Sequence, residues 1–220
     1  MQNVRIYLLY NTENIDEYLT DPRIFPLKLE PQGEFFESEA FRMLNISDIP
    51  SEIEYIGFIT PSFFRKTRLT LKDIAPPQNR KNIRAFWAKR NGGESYIDQG
   101  ARYHGAIFRR IWDWLIENLG YNSEGITYKQ YHIWSNMWIL SRGNFEIYLE
   151  IAKKAVNLLD NAPPHIKSLL FSDALYYEGK LSSDRLLKLC GTQHYPFHPF
   201  IMERLIPFVC DRYNWGLETP

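Results

Sequence analysis

The sequence predicts a layered α/β domain, because strand and helix signals alternate along the chain. Two β-rich runs, at residues 4–10 and 54–60, predict buried strands, and apolar residues at helical spacing predict helices at 95–119 and 142–160. The 45% share of apolar residues can fill a core, and it excludes disorder, collagen-like repeats and coiled coil. No composition shift or internal repeat marks a boundary, so we expect one domain over residues 1–220.

The first 90 residues are predicted to form strands at 4–10, 24–29, 54–60 and 82–87 and a helix at 34–44. Pro26 marks the second strand as an edge strand, because proline cannot donate a hydrogen bond to a sheet. Gly57 indicates that another backbone approaches the third strand closely. Glu37 and Glu39 lie in the first turn of the predicted helix, where the helix dipole favours negative charge.

The remaining chain is predicted to form a strand at 133–140 and helices at 95–119, 142–160, 166–170 and 199–213. The helix at 95–119 is expected to be the longest and to end at Gly120, and Ser141 is expected to cap the next one. The last helix is expected to be interrupted at Pro207, and the segment before it to be a polar connection. Gly105 is unexpected inside a helix, and either a closely approaching ligand group or a helix crossing explains it.

The net charge of zero hides an uneven distribution along the chain. Residues 1–59 hold 4 basic and 11 acidic side chains, residues 60–90 hold 9 and 1, and residues 91–220 hold 13 and 14. The basic block follows a predicted strand, and ligands of open α/β sheets bind at the carboxyl ends of strands. It is therefore either an anion site for a group such as a diphosphate or a solvated face. Overall neutrality argues against a dedicated nucleic-acid binder.

Several other site types find no support in the sequence. It contains no phosphate-binding loop, dinucleotide fingerprint, GxSxG nucleophile elbow or HExxH zinc motif. Cys190 and Cys210 lack the spacing of a zinc site and are expected to be reduced, and His194 and His198 are expected to pack rather than bind metal. The apolar run at the start is too short for a membrane span or signal peptide, so we expect a cytoplasmic protein without an integral membrane segment.

Four stretches between residues 34 and 210 resemble one family when they are taken together in order. They are residues 54–60 followed by Arg65-Lys66-Thr67; Tyr103-His104-Gly105 with Ile111-Trp112 and Leu119-Gly120-Tyr121; residues 134–138 before the Phe145 helix; and residues 195–205. In these motifs the chain resembles the small glycosyltransferase-A-like proteins found in bacterial surface-glycan clusters and in large DNA viruses. Proteins of that family use nucleotide sugars. The resemblance implies a single mixed sheet flanked by helices.

The resemblance also implies a function and a division of labour along the chain. The protein is expected to move a sugar from a nucleotide-diphosphate donor to a glycan or glycoprotein acceptor, as in capsule or virion glycosylation. Residues 1–90 would bind the donor, and residues 91–220 would bind the acceptor and carry the catalytic groups. The expected donor-binding residues are Tyr10, Asn11, Thr60, Ser62, Arg65, Lys66 and Arg68. The expected acceptor-binding residues are Asn136, Trp138 and Tyr195.

An inverting transfer needs a base that takes the proton of the acceptor hydroxyl. Glu203 is the first candidate by its position in the last motif, and His104 and Asp98 are the second. A structural ion pair or a helix-dipole interaction is the alternative for Glu203. The amide of Asn136 is expected to bond either a sugar hydroxyl or the backbone.

The chain departs from the family pattern in its metal motif. Many such folds bind Mn²⁺ or Mg²⁺ through a DxD motif, but this chain has none, and Thr60-Pro61-Ser62 stands at the equivalent place. Either transfer proceeds without metal or a cofactor, with Arg65, Lys66 or Arg68 bearing the diphosphate charge, or the fold is a non-catalytic carbohydrate-binding or assembly module. Nucleic-acid binding through the basic block is a third hypothesis. The oligomeric state stays open.

Overall fold

The computed structural model describes residues 3–30, 36–90, 93–123, 126–129, 131–176 and 182–220. The strands are β1 (Val4–Tyr10), β2 (Ile24–Lys28), β3 (Tyr55–Ile59), β4 (Ile83–Ala85), β5 (Ala88–Arg90), β6 (Tyr131–Ile133), β7 (Trp138–Ser141) and β8 (Leu217–Glu218). The helices are α1 (Glu39–Met43), α2 (Phe63–Thr67), α3 (Tyr96–His104), α4 (Ala106–Asn118), α5 (Arg142–Asp160), α6 (Pro164–Leu170), α7 (Ser183–Cys190), α8 (His198–Glu203) and α9 (Leu205–Arg212). The fold is therefore α/β, as the sequence predicts.

A six-stranded mixed sheet lies at the centre of the fold, in the order β2-β1-β3-β7-β4-β8. Strand β1 pairs in parallel with both β2 and β3, while β7 runs antiparallel between β3 and β4. Strand β2 is at the edge, so the prediction from Pro26 is confirmed. A separate antiparallel pair consists of β5 and β6. The parallel pairing brings the carboxyl ends of β1, β2 and β3 to one edge of the sheet.

The two faces of the sheet are both buried, as the alternating side chains of β1 show. Ile6 and Leu8 belong to a smaller apolar cluster with Phe63 of α2, whereas Tyr7 and Leu9 belong to the main core. The main core also contains residues of several helices, namely α1, α4, α5, α8 and α9. It therefore joins residues from both halves of the chain. Burial on both faces explains the nearly continuous apolar run of β1.

Gly57 confirms the close backbone approach predicted for its strand. A Cβ atom at this position would overlap the carbonyl oxygen of Trp138 on the neighbouring strand β7. Trp138 in turn is fully buried, and its indole packs edge-on against Phe58 at a ring distance of 4.9 Å. Glycine at position 57 therefore lets β3 and β7 pair while a large ring fills the core beside them.

The single helix predicted over 95–119 is wrong, because the chain breaks at Gly105 into α3 and α4. Gly105 has φ +78° and ψ −175°, a conformation that essentially only glycine adopts, and a Cβ there would meet no atom within 4 Å. The backbone conformation therefore explains this glycine, and among the described residues no crossing helix comes close to it. The longest described helix is α5, with 19 residues, and Gly120 ends α4 with φ +95° as predicted.

The strand predicted over 133–140 is also wrong in its middle. Ser135 and Asn136 have φ +59° and +45° and form a turn between β6 and β7, which belong to different sheets. Asparagine is one of the few residues that adopt the left-handed region readily. The polar pair inside an apolar run thus marks a turn, which we name the 135–136 turn.

The helix boundaries differ from prediction at several places. The break in the last helix falls at Arg204, while Pro207 lies in the first turn of α9, where a missing N–H breaks no helical hydrogen bond. Ser141 precedes α5, but its hydroxyl donates to the Arg80 carbonyl instead of capping the helix. Helix α7 replaces part of the predicted polar connection. The predicted start of the first helix, Glu34, lies outside the described residues, and α1 begins at Glu39.

Within the described ranges, no helix combines the length and the hydropathy that a membrane crossing requires. Cys210 is a buried free thiol, and the side chain of Cys190 lies outside the described part. His198 is fully buried in α8, and His194 shares a hydrogen bond of 2.9 Å with the Phe171 carbonyl.

Candidate functional site

A cleft of about 340 Å³ opens at the carboxyl ends of the three parallel strands. Tyr10 ends β1, Leu29 follows β2 and Thr60 follows β3, and all three line the cleft. Five of the predicted donor-binding residues meet here, namely Tyr10, Asn11, Thr60, Ser62 and Arg65. The cleft therefore lies at the carboxyl ends of the strands, where a ligand was predicted to bind, and it brings together Tyr10 and Thr60, which are 50 positions apart in the chain.

Hydrogen bonds fix the loops that form the walls of the cleft. The Glu13 carboxylate accepts the backbone N–H of Asn11 at 2.8 Å and that of Thr12 at 3.1 Å. After β3 the hydroxyls of Thr60 and Ser62 share a hydrogen bond of 2.9 Å. These local bonds hold both loops in place.

The charges that line the cleft are mixed. Glu13, Glu30 and Glu37 contribute carboxyl groups, and Arg65 and Arg185 contribute guanidinium groups. The sequence predicted Arg65 alone among these five residues. Arg185 comes from α7, in the segment expected to be irregular, and reaches the cleft from far along the chain.

Glu37 is the carboxyl group with the most unusual environment in the cleft. Burial raises its pKa to about 7, and the charges of Glu203 and Glu13 act in the same direction. The Lys66 ammonium and the Asn136 amide oppose this shift of the pKa. A carboxyl group that is half-protonated near neutral pH can both accept and donate a proton in a reaction.

A polar network, which we define as Glu37, Lys66, Ser135, Asn136, Glu203 and Arg204, adjoins the cleft. The Lys66 ammonium donates to the Ser135 hydroxyl at 2.6 Å, and the Asn136 amide donates to the Glu37 carboxylate at 2.8 Å. The Ser135 backbone N–H donates to Glu203 at 2.6 Å. The 135–136 turn thus connects all the members, and the partner of Asn136 is a carboxylate rather than the expected sugar or backbone group.

Lys66 is not an exposed cation. Its ammonium lies 4.5 Å from the ring centre of Trp87, and burial lowers its pKa, although the charges of Glu37 and Glu203 oppose this. Lysine ammonium groups take part in such contacts because aromatic faces carry negative charge. Lys66 therefore neutralises the carboxylates of the polar network, whereas neighbouring Arg65 is exposed and lines the cleft.

Glu203 has both carboxylate oxygens engaged. One oxygen accepts the Ser135 N–H, and the other accepts a hydrogen bond from Arg204. Arg204 is only 3% exposed and also donates to the Gln99 side chain at 2.6 Å and to the Tyr96 carbonyl at 3.1 Å. The structural ion pair that the sequence left open for Glu203 is present.

His104 and Tyr195 meet in an aromatic cluster around Phe200, and neither lines the cleft. The His104 ring lies 4.1 Å from that of Phe200, and its Nδ1 atom shares a hydrogen bond of 2.8 Å with the Ala174 carbonyl. Burial lowers the pKa of His104. These contacts are those of a packed neutral histidine.

Three further predicted site residues lie elsewhere. Asp98 is in the first turn of α3, where its N–H and its carboxylate both bond the Ser95 hydroxyl, and it is 3.8 Å from Arg109. Trp138 is a fully buried core residue. Arg68 is exposed at the end of α2, outside the cleft lining.

Glu37 and Arg185 line the cleft although their sequence positions did not predict it. Glu37 matched a helix-dipole position, and the structure places it in a 3-10 turn, Phe36–Ser38, ahead of α1. The Glu-Ser-Glu sequence at residues 37–39 was the one local signal, because a single acidic residue is enough to favour a helix start and the second could have another role. Arg185 lies on an amphipathic pattern with Ser182 as its N-cap, a recognisable helix signal.

Comparison of the chain with protein-family models, with curated proteins and with solved structures gives no match. Among the residues that the structure describes, no three His, Cys, Asp or Glu side chains lie together in a way that could hold a metal ion. Any functional conclusion therefore follows from the geometry and chemistry of the cleft and the polar network.

Proposed function

We propose that the protein is a glycosyltransferase that moves a sugar from a nucleotide-diphosphate donor to a glycan or glycoprotein acceptor. The observation that carries this proposal is the position of the cleft at the carboxyl ends of β1, β2 and β3. Open α/β sheets bind nucleotides at such edges. The cleft volume, about 340 Å³, lies within the range of small-molecule sites.

The mixed charge of the cleft fits a nucleotide sugar better than a nucleic acid. Arg65 and Arg185 can each form paired hydrogen bonds with phosphate oxygens. Glu13 and Glu30 supply carboxylates, which accept hydrogen bonds from sugar hydroxyls and repel a chain of phosphates. A ligand with one diphosphate and many hydroxyl groups satisfies both kinds of lining.

The residues at the end of β3 do not fit a resident divalent cation. Thr60 and Ser62 present hydroxyls that bond each other, and no carboxylate stands between them. We therefore assign the charge of the leaving diphosphate to Arg65. Lys66 is held by Ser135 and serves the polar network instead.

Calorimetry with a panel of UDP-, GDP- and dTDP-sugars, with and without Mn²⁺, tests the proposal. We expect one donor to bind, and Arg65→Ala to weaken it about 10- to 100-fold, because a charge-assisted hydrogen bond contributes about 1.5–3 kcal/mol. Arg68→Ala is the matched control, since Arg68 is an exposed arginine of the same block outside the cleft, and its affinity should stay within about twofold.

Failure of every donor in the panel to bind would overturn the proposal. Donor binding with neither hydrolysis nor transfer would instead identify the non-catalytic carbohydrate-binding module. Binding of DNA or RNA that weakens steeply with salt would favour the third hypothesis, nucleic-acid recognition through the basic block.

A further inference from the structure

Glu37 and Glu203 are the two carboxyl groups of the polar network, and their surroundings differ. Both oxygens of Glu203 accept hydrogen bonds, one from the Ser135 N–H and one from the buried Arg204 guanidinium. Glu203 is also absent from the cleft lining. Both oxygens of Glu203 are therefore held by donors of the polar network, as befits a residue that orients the 135–136 turn.

Glu37 lies in the cleft itself, and a hydrogen bond orients one of its carboxylate oxygens. Its Oε2 atom accepts the Asn136 amide at 2.8 Å, while the residue is half-buried and lines the cleft with Thr60 and Arg65. Asn136 is held in place because Ser135, its neighbour in the turn, bonds both Lys66 and Glu203. The network thus fixes the orientation of the Glu37 carboxyl group.

From this geometry we infer that Glu37 is the general base of the transfer and that Glu203 is a positioning residue acting through Ser135. The inference rests on the proposed glycosyltransferase function. As the acceptor oxygen attacks the anomeric carbon, its proton passes to the Glu37 carboxylate. The bond from the anomeric carbon to the β-phosphate oxygen breaks, and its electron pair leaves with the nucleoside diphosphate beside Arg65.

The electrostatics of the cleft agree with this role. Burial and the charges of Glu203 and Glu13 raise the pKa of Glu37 to about 7, against the opposing effects of Lys66 and Asn136. A base is most effective when its pKa is near the working pH, since it is then both deprotonated and strong enough to take a proton. An ordinary exposed glutamate is a weaker base.

Donor hydrolysis tests the inference without knowledge of the acceptor, because water then takes the acceptor's place. Release of nucleoside diphosphate from the UDP-, GDP- and dTDP-sugar panel is measured for the wild type, Glu37→Gln and Glu39→Gln. We expect Glu37→Gln to bind donor within about twofold of wild type and to hydrolyse it about 10²- to 10⁴-fold more slowly. Glu39→Gln is the matched control, because Glu39 pairs with Arg42 and does not line the cleft.

The outcomes separate the inference from the proposed function. Hydrolysis by Glu37→Gln within about threefold of wild type, with donor bound, would overturn the role of Glu37 alone. A wild type that binds no donor, or binds without turnover, would overturn the glycosyltransferase proposal and this assignment with it. Glu203→Gln gives a second readout: a positioning role predicts a smaller loss of rate than Glu37→Gln, and a larger loss would return the base to Glu203.

Discussion

Gly105→Ala should destabilise the protein through backbone conformation alone. The φ of +78° and ψ of −175° lie in a region that costs a residue with a Cβ about 1–3 kcal/mol, and the added methyl group would touch nothing within 4 Å. Alanine also lowers the conformational entropy of the unfolded chain, which offsets about 0.4–1 kcal/mol of this cost. Taken at the middle of both ranges, the expected net loss in the free energy of unfolding is about 1.3 kcal/mol.

Gly143→Ala supplies a control of opposite sign. Gly143 is the second residue of α5, its φ is outside the positive range, and a Cβ there also meets nothing within 4 Å. Alanine should stabilise the protein here by up to about 1 kcal/mol, since it loses less entropy than glycine in a helix. Urea unfolding measures both variants, with an unchanged m-value as the check on two-state behaviour. A Gly105→Ala variant as stable as the wild type would refute the conformational explanation.

Two further predictions concern the polar network. Arg204→Met should lower the free energy of unfolding by about 3–5 kcal/mol, because it leaves Glu203 and Gln99 without their buried partner. Chemical denaturation measures this loss, and a loss below about 1 kcal/mol would contradict the buried pair. Glu37 has a higher pKa in the folded state than its ordinary 4.5, so its contribution to stability should fall as pH rises from about 4.5 to 7. The free energy of unfolding of Glu37→Gln, relative to that of the wild type, should therefore rise by up to about 3 kcal/mol between pH 4.5 and pH 8. A pH-independent difference between the two proteins would contradict the raised pKa.

The strands and the cleft were predictable because their signals are local. The run at residues 4–10 and the Gly57 strand are apolar on both faces, and the carboxyl ends of such strands are a known place for ligands. Tyr10, Asn11, Thr60, Ser62 and Arg65 follow directly from the strands and line the cleft. Sequence position alone therefore brought five of the seven residues predicted to bind a donor to the lining of the cleft.

The remaining site residues depend on contacts that no local pattern records. Asn136 sits in an apolar run that predicts a strand, yet two positive φ angles turn the chain there and aim its amide at Glu37. Trp138 is as aromatic as a sugar-stacking residue, but the core encloses it completely. His104 lies outside the cleft for the same reason, since Phe200 and Ala174, which cover it, come from far along the chain.

The 135–136 turn also joins parts of the chain that a ribosome makes at different times. Asn136 is 99 residues from Glu37, and Ser135 is 69 from Lys66 and 68 from Glu203. Contacts of such separation form late, because a long loop must close before they contribute. The parallel strands can pair once residue 59 has emerged, but the polar network has to wait for α8. The polar network is therefore complete only when nearly the whole chain has been made, and a shorter chain has the parallel strands without the contacts that orient Glu37.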